Sequence, residues 1–166
     1  MKVTIPYQSP FGTLEIEASA EGISAIRWHW SSATNQQDRL TIDPAGSSVE
    51  PLLETTRAQL DEYFEGAREA FDLPLSLMGT PFQRLVWNAL KAIPYGTTES
   101  YSAIANLIGR PRAVRAVGRA IGSNPIPLII PCHRVIGAGG KLTGFSGGLD
   151  RKRWLLKREN VLLVHP

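Results

Sequence analysis

The chain has 166 residues, of which 43% are hydrophobic and 20% charged, and it contains one cysteine. This length can bury a sizeable core, in one domain or in two small ones. One cysteine excludes an internal disulfide, and the sequence shows no secretory signal, no lipidation motif and no apolar run of about 18 residues or more. We therefore expect a soluble, cytoplasmic protein.

The two halves of the chain differ in charge. Residues 1–79 hold 5 Lys and Arg against 12 Asp and Glu, a net charge of −7, whereas residues 80–166 hold 13 against 3, a net charge of +10. Clustered basic residues favour binding to a polyanion such as nucleic acid. A basic surface that is merely solvated is the alternative. The contrast predicts two domains rather than one.

The acidic half begins with a pattern typical of strands. Apolar and polar residues alternate over residues 13–18, the alternation breaks at Gly22, and it resumes over residues 26–30. This pattern predicts an antiparallel β-hairpin. Residues 31–48, rich in Ser, Gln, Asp and Gly, are expected to form an irregular surface connection.

A helix and a last strand are predicted next. Pro51 suits a first helical turn, Gly66 suits a stop, and the apolar positions between them share one helical face. Apolar residues then alternate over residues 71–77, which predicts a strand, and Pro74 confines that strand to a sheet edge. His29 has no second His and no Cys nearby, so we predict no metal site there.

The boundary between the two predicted domains, residues 1–78 and 79–166, follows Met78. Thr80, Pro81 and Gln83 form a strong helix start, with Thr as N-cap, Pro at the first helical position and Gln at the third. The core face of this helix is predicted to consist of Phe82, Leu85, Val86, Ala89 and Leu90.

Two shorter helices are predicted after it. Ser100 can cap the first, which ends at Gly109, and the second is expected from Arg112 to Ile121. Two short helices joined by a glycine turn form a helix-turn-helix, a signal that ordinary helical hairpins share.

The second of these helices carries three rows at helical spacing. The rows are Arg112, Arg115 and Arg119; Ala113, Ala116 and Ala120; and Val114, Val117 and Ile121. We expect the aliphatic row to face the core and the arginines to meet phosphates. The alanines, with Gly118, are expected to leave a smooth surface that can approach a partner closely.

The only cysteine, Cys132, follows a proline-rich run over residues 124–131 that is expected to be extended. His133 is its neighbour, and an adjacent imidazole can lower a thiol pKa or accept the thiol proton, directly or through water. The alternative is that a lone cysteine is a small buried hydrophobe.

Two glycine-rich loops, residues 137–140 and 143–148, follow the cysteine. The second matches no phosphate-loop spacing, and its small residues suit the admission of a flat ligand. The last helix, around residues 150–159, is expected to pack Trp154 and Leu155. It is also expected to display Arg151, Lys152, Arg153, Lys157 and Arg158.

Together these motifs resemble those of the O6-alkylguanine-DNA alkyltransferases. The likeness covers residues 80–166 through Thr80-Pro81-Phe82-Gln83, Pro94-Tyr95-Gly96, Arg115-Ala116-Val117-Gly118, Asn124-Pro125, Pro131-Cys132-His133-Arg134-Val135, Ser146-Gly147-Gly148-Leu149 and Glu159. It implies an α+β fold, with a small N-terminal antiparallel-sheet domain of ribonuclease H-like topology. The C-terminal helical domain is then expected to bind DNA through a winged-helix-like helix-turn-helix and to accept the alkyl group.

That family transfers an alkyl group from guanine O6 in duplex DNA to its own cysteine, so the resemblance implies that Cys132 is the acceptor. By similarity, Glu159 orients His133, which takes the thiol proton through a water. Asn124 ties the recognition helix to the active-site segment, and Tyr101 assists rotation of the nucleotide. The product thioether is too stable for cellular thiols to reverse, so each molecule acts once. We expect no cofactor and no metal.

The resemblance also implies binding in the minor groove, with the damaged nucleotide leaving the stack at a cost of about a few kcal/mol. Arg115 is expected to fill the gap in the stack, while Ala113, Ala116 and Gly118 let the helix lie close. Phe145 stands where a tyrosine is common, which removes a hydroxyl but keeps an aromatic face. The guanine and alkyl pocket is expected to comprise Val135, Phe145, Ser146, Gly147 and Gly148.

We expect O6-alkylguanine and O4-alkylthymine in double-stranded DNA as substrates, and a monomer in solution for which cooperative assembly on DNA stays open. Three other classes of protein remain as alternatives. The first is a relative that flags alkylated bases without repairing them, but such relatives have another residue in place of the cysteine, so Cys132 argues against this class. A helix-turn-helix regulator needs side chains that read base edges, and alanines and arginines offer few of these. A cysteine hydrolase needs an oxyanion hole and a cleft, and it needs no basic half.

Overall fold

The computed structural model describes residues 1–29 and 48–163. The chain divides into two compact units, Met1–Met78 and Gly79–Pro166. The first contains an antiparallel sheet and a long helix, and the second is mainly helical. This architecture confirms the predicted α+β class. In the described ranges, no helix is both long enough and apolar enough to cross a membrane.

Three antiparallel strands form the N-terminal sheet in the order β1 (Val3–Ser9), β2 (Gly12–Ser19) and β3 (Gly22–Trp28). The predicted hairpin is the β2–β3 pair, in which Leu14 lies opposite Trp28. The apolar residues that alternate along β2 are buried, as expected. The strand β1, which pairs with β2 along its whole length, was not predicted. A proline in its centre weakened the strand signal, and an edge strand tolerates that proline.

The predicted helix of this unit is α1 (Glu50–Glu65), with Pro51 in its first turn. Gly66 ends it with a φ of 85°, a left-handed conformation that favours glycine. The inward face is buried and includes Leu53, Thr56, Leu60 and Tyr63. Both the start and the stop signals are therefore confirmed.

The prediction of a strand over residues 71–77 is wrong. Leu75 forms an isolated parallel bridge with Ile23, supported by hydrogen bonds from Ile23 N to Pro74 O at 2.9 Å and from Ser76 N to Ile23 O at 2.8 Å. Because proline has no N–H to donate, it limits how far such a ladder can extend. The predicted connection after β3 falls almost wholly on residues outside the described ranges.

The C-terminal unit combines helices with one short pair of parallel strands. Its elements are α2 (Pro81–Lys91), β4 (Glu99–Ser100), α3 (Tyr101–Leu107), α4 (Val114–Gly122), β5 (Val135–Ile136) and α5 (Leu149–Arg158).

The helix α2 begins as predicted, but its core face is partly wrong. Gln83 N donates to Thr80 Oγ1 at 3.1 Å, and Thr80 N donates to Gln83 Oε1 at 2.9 Å, which completes a capping box. Leu85, expected inside, is 42% exposed. Trp87 is buried in its place and donates its indole N–H to Ala120 O at 2.7 Å.

The helices α3 and α4 form the predicted helix-turn-helix. Ala103 N donates to Ser100 Oγ at 3.0 Å, so Ser100 is the cap of α3. Gly109 occupies the turn with a φ of 71°, again the left-handed region.

The helix α4 starts at Val114 rather than at Arg112. Val114 is 36% exposed, whereas Val117 and Ile121 are buried, so only the later part of the aliphatic row faces the core. Ala120 is also buried, which shortens the alanine surface that the sequence predicted.

The segment before the cysteine is a compact turn and not the extended segment that was expected. Residues 124–131 are closed by a hydrogen bond from Ile130 N to Ile126 O at 2.9 Å, and Leu128 has a φ of 75°. Asn124 spans the turn, donating Nδ2 to Ile130 O at 2.8 Å and accepting from Ile126 N at 2.9 Å. The prolines exclude a helix here but not a turn, which is why the prediction failed.

Candidate active site

Cys132 begins a single 3-10 turn, Cys132–Arg134, directly after that compact turn. It is 5% exposed, and its N–H donates to Ile130 O at 2.8 Å. Burial raises the pKa of the thiol to about 11, although a hydrogen bond with Asn124 and the charge of Lys152 act to lower it. The thiol is therefore protonated at neutral pH, and nucleophilic chemistry there requires a base.

His133 is a fully buried imidazole with the properties of such a base. Its Nε2 donates to Glu159 Oε1 at 2.7 Å. Burial lowers the pKa of His133 below 6.5, against the opposing influence of Glu159, so the ring is neutral at pH 7. With the proton on Nε2, the other nitrogen is an acceptor. That atom, Nδ1, is buried and has no hydrogen-bond partner in the described part of the chain.

Glu159 is a buried carboxylate just past the end of α5. Burial alone favours its neutral form, but His133 and Arg134 outweigh burial and lower the pKa of Glu159 to about 2. Arg134 donates from Nε to Oε2 at 2.9 Å and from Nη2 to Oε1 at 3.0 Å. Its third nitrogen donates to Ile93 O at 2.7 Å. The carboxylate is therefore ionised and held by a bidentate partner.

Arg134 received no role in the sequence analysis. It is buried, and its guanidinium lies 5.7 Å from the centre of the Tyr95 ring. The sequence could have indicated a role for Arg134, because a residue two positions after Cys132 lies in the same turn. The structure adds it to the site as the second partner of Glu159.

Lys152 is fully buried, so the prediction that the last helix displays it is wrong. Its Nζ donates to Val135 O at 2.6 Å and to Thr143 O at 2.7 Å. The helical spacing of Lys152 could have indicated that it is buried. Lys152 lies three residues before Leu155, on the buried face of α5, and seven before Glu159, which follows the helix on the same side.

The predicted pocket residues lie on two segments. Val135 is buried in β5, which bridges to Glu99 of β4. The loop before α5 holds Phe145, Ser146, Gly147 and Gly148. Tyr101, at the start of α3, is joined to the same loop through Thr143, since its hydroxyl donates to Thr143 O at 3.4 Å and accepts from Thr143 Oγ1 at 3.2 Å.

The predicted DNA-facing residues lie on or next to α4. Arg112, Arg115 and Arg119 are exposed, and Ala113, Ala116 and Gly118 are partly exposed. A Cβ added at Gly118 meets the Tyr101 ring at 3.8 Å, an ordinary contact. Packing within this unit therefore does not require glycine at that position.

The C-terminal unit thus combines a helix-turn-helix bearing exposed arginines with a buried Cys–His–Glu arrangement. These features are typical of a nucleic-acid-binding protein with a cysteine nucleophile. Comparison with family models then gives the particular family. Residues 3–77 match the ribonuclease-like domain of 6-O-methylguanine DNA methyltransferase, and residues 81–161 match its DNA binding domain.

Individual relatives agree with the family models. The methylated-DNA–protein-cysteine methyltransferase of Methanosarcina acetivorans is 43% identical over 92% of this chain and 95% of its own length. That of Mycobacterium bovis is 46% identical over 91% of this chain and 88% of its own length.

Solved structures show the same fold. The crystal structure of Mycobacterium tuberculosis O6-methylguanine methyltransferase has a TM-score of 0.82 and 44% identity, covering 96% of this chain and 93% of that one. The structure of Mycobacterium tuberculosis OGT in complex with DNA has a TM-score of 0.80 and 45% identity, covering 95% and 91%. The chain belongs to the 6-O-methylguanine DNA methyltransferase family, which confirms the resemblance inferred from its motifs.

Proposed function

We propose that this chain repairs duplex DNA by transferring an alkyl group from guanine O6 to Cys132. Methyltransferase activity on alkylated DNA accords with relatives that match it over most of its length. One observation carries the assignment of the acceptor. The chain has a single cysteine, and the next residue is a neutral, buried imidazole with one nitrogen held by a carboxylate and the other free to take a proton.

The proposed reaction moves one proton and one alkyl group. Nδ1 of His133 takes the Cys132 proton through a water, and Glu159 stabilises the imidazolium that forms. The thiolate sulfur then bonds the alkyl carbon as the carbon–O6 bond breaks, and the electron pair of that bond returns to guanine. The proton released from the thiol ends on the guanine base. Atoms and charge balance without a cofactor.

Asn124 and Tyr101 have supporting roles in this proposal. Asn124 links the end of α4 to the cysteine turn through its two backbone hydrogen bonds and contributes a hydrogen bond that favours the thiolate. Tyr101 assists rotation of the nucleotide from the position next to the 143–148 loop. Its hydroxyl is hydrogen-bonded to Thr143 and can exchange that partner for the base.

We assign the exposed side of α4 to DNA. Arg115 fills the space that the rotated nucleotide leaves, and Arg112 and Arg119 contact phosphates. Ala113, Ala116 and Gly118 lack bulk, which lets the helix lie close to the minor groove. The net charge of +10 on residues 80–166 favours the same binding.

The pocket for the flipped base lies, in this proposal, between Val135 and the loop of Phe145, Ser146, Gly147 and Gly148. Backbone groups of Val135 and Ser146 read the guanine edges, Phe145 stacks on the base, and the glycines leave room for the alkyl group. O4-alkylthymine presents a comparable alkylated oxygen, so we include it as a substrate.

We further propose that each molecule acts once, as a monomer in the cytoplasm, on chromosomal DNA. The thioether formed on Cys132 has no leaving group that a cellular thiol can displace readily. Cooperative assembly on DNA is compatible with this scheme.

Intact-mass and peptide mass spectrometry test the proposal directly. After incubation with a duplex carrying O6-methylguanine, the peptide containing Cys132 should gain one methyl group, in a yield that never exceeds one per protein. Undamaged duplex and the Cys132→Ser variant are the controls, and neither should gain mass. An unchanged wild-type mass together with tight, selective binding of the damaged duplex would instead indicate a protein that only flags the lesion.

A further inference from the structure

The turn at residues 93–96, directly after α2, contacts the buried carboxylate of the site and its neighbours. It contains the motif Pro94-Tyr95-Gly96, to which neither the sequence analysis nor the proposed reaction gave a role. Thr97 closes the turn, because its N–H and its hydroxyl both donate to Pro94 O, at 3.2 and 2.8 Å. The turn therefore has a defined conformation from which it can position another segment.

The Tyr95 hydroxyl caps the end of the last helix. The final carbonyls of a helix have no partner within it. At the end of α5, the hydroxyl donates to Arg158 O at 3.2 Å, one residue before Glu159. The Tyr95 ring lies 5.7 Å from the guanidinium of Arg134, which also donates to Ile93 O at 2.7 Å. The turn thus contacts both the backbone that leads to Glu159 and the cation that binds its carboxylate.

Gly96 approaches Glu159 itself. Its N–H donates to Oε2 at 3.4 Å, a long hydrogen bond to the oxygen that also accepts from Arg134 Nε. Gly96 has a φ of 76°, in the left-handed region that favours glycine. A Cβ added there would lie 3.2 Å from Glu159 O, so that a larger residue would press on the backbone of Glu159. Both the conformation and the close approach therefore require glycine.

The position of this carboxylate decides what His133 can do. Nδ1 of His133 is an acceptor only while the ring proton stays on Nε2, and Glu159 Oε1 accepts that proton at 2.7 Å. Glu159 lies just past the last residue of α5, and helix ends fray more readily than helix interiors. Contacts from outside the helix are therefore needed to hold the carboxylate in place.

We propose that Tyr95 and Gly96 are positioning residues of the alkyl-acceptor site: the tyrosine hydroxyl and the glycine N–H hold the end of α5 so that Glu159 keeps His133 in the form that accepts the thiol proton. Both residues act through Glu159. This role deepens the proposed function and rests on it.

Two variants and two matched controls separate this role from general strain. Gly96→Ala places a methyl group against Glu159, and Tyr95→Phe removes the hydroxyl but keeps the ring beside Arg134. Gly109→Ala introduces the same strain at a φ of 71°, with nothing within 4 Å of the new Cβ. Tyr7→Phe removes a hydroxyl that donates to a side chain of the N-terminal unit. Thermal melting checks folding. If Gly96→Ala does not fold, Tyr95→Phe decides the question.

Proton NMR of the free protein reports the His133–Glu159 hydrogen bond directly. The chain has three histidines, and the resonance that disappears in His133→Gln belongs to His133. In the wild type, the Nε2 proton should resonate far downfield and exchange slowly with water, because it is buried and donated to a carboxylate. We expect this resonance to move upfield and to exchange faster in Gly96→Ala, with a smaller change in the same direction in Tyr95→Phe.

Reaction rates measure the consequence for the thiol. We expect methyl transfer from a saturating methylated duplex to slow about tenfold or more in Gly96→Ala, a part of the roughly 10²–10⁴-fold that a positioned general base contributes. Tyr95→Phe should slow it less, and affinity for undamaged duplex should stay unchanged. Because Cys132 is the only cysteine, iodoacetamide reports this thiol without DNA, and its reaction should slow in the same order. Gly109→Ala and Tyr7→Phe should match the wild type in the NMR and iodoacetamide measurements.

The proposal is overturned if the folded variants keep the wild-type His133 resonance, or if the resonance shifts while the thiol reacts at the wild-type rate. An equal shift in Gly109→Ala also overturns it, because backbone strain anywhere in the unit would then be sufficient. Failure of the wild type to accept methyl from DNA, with the NMR and iodoacetamide results as expected, refutes only the proposed function.

Discussion

The two units of the chain place their charges differently. In the N-terminal unit, the Glu17 side chain is 16% exposed and pairs with Lys2 and Arg27, whose side chains are 59% and 54% exposed. In the C-terminal unit, the titratable side chains of the cysteine site are buried. None of His133, Arg134, Lys152 and Glu159 is more than 6% exposed.

This difference has an energetic meaning. Exposed ion pairs contribute about 0–1 kcal/mol each, because water competes for both partners. Buried charges are costly unless hydrogen bonds and opposite charges compensate for them, and structures retain them where chemistry requires them. Buried charge is concentrated next to the only cysteine, in the C-terminal unit. This unit is therefore the one suited to chemistry, whereas the N-terminal unit is organised around its sheet.

Removing one buried carboxylate should have the largest effect on this contrast. Glu159→Gln leaves Arg134 buried without its anionic partner, and we expect the C-terminal unit to lose about 3–5 kcal/mol of its free energy of unfolding. Glu17→Gln, the matched change in the N-terminal unit, leaves no buried cation unpaired, because Lys2 and Arg27 are exposed, and it should cost clearly less. Native-state hydrogen exchange followed by mass spectrometry measures each unit separately. If both units lost the same free energy of unfolding, the contrast between buried and exposed charges would be wrong.

The pH dependence of stability sharpens the same prediction. Glu159 has a pKa of about 2 in the folded chain against an ordinary value of 4.5. Its stabilising contribution is therefore fully present above pH 4.5 and disappears as the pH falls toward 2. The stability difference between wild type and Glu159→Gln should shrink over that interval, and a constant difference would show that the variant acts through packing instead.

A smaller effect is expected from the exposed arginines next to and on α4. Arg112→Ala and Arg119→Ala should each weaken DNA binding and reduce the slope of log affinity against log salt by about 0.9, the value for one lost phosphate contact. Arg57→Ala removes an exposed arginine of α1 and should leave the slope unchanged. Binding titrations at several salt concentrations measure this. Identical slopes for all three variants would place the DNA-binding surface elsewhere.

The smallest expected change concerns Gly118. Alanine fits there with an ordinary contact of 3.8 Å to Tyr101, and replacing a glycine inside a helix should stabilise the fold by up to about 1 kcal/mol. Methyl transfer from duplex DNA should nevertheless slow, because the methyl group holds α4 away from the groove. Gly122→Ala, at the end of the same helix with nothing within 4 Å, should leave transfer unaffected. A Gly118→Ala variant that is more stable and equally active would argue against close approach.

Local signals predicted the fold well where one or two neighbouring residues decide the conformation. Thr80 and Gln83 form the expected capping box, Ser100 caps α3, and Gly66 and Gly109 end helices in the left-handed conformation. Each of these depends on backbone hydrogen bonds within a few residues, so the sequence contains the whole interaction.

Prediction failed where a distant segment supplies the partner. Residues 71–77 alternate as a strand does, but only Leu75 forms a bridge, and its partner is the distant Ile23. The turn at residues 124–131 is a different case, because Asn124 closes it locally through Ile126 and Ile130. Leu85, expected in the core, is exposed, whereas Trp87, which received no predicted role, is buried and donates its indole N–H to the carbonyl of Ala120. Apolar periodicity describes one element at a time and contains no information about these partners.

By itself, the sequence determined the family, the α+β class, the helix-turn-helix and the choice of Cys132, His133 and Glu159 as candidate site residues, because each rests on contiguous motifs or on local hydrogen bonding. Only the tertiary structure decided which basic residues are internal. Lys152 and Arg134 look like the other cations of a basic half, and their burial depends on carbonyl and carboxylate acceptors brought from other parts of the chain. A charge can be buried only where such acceptors converge, and that convergence is a property of the folded chain.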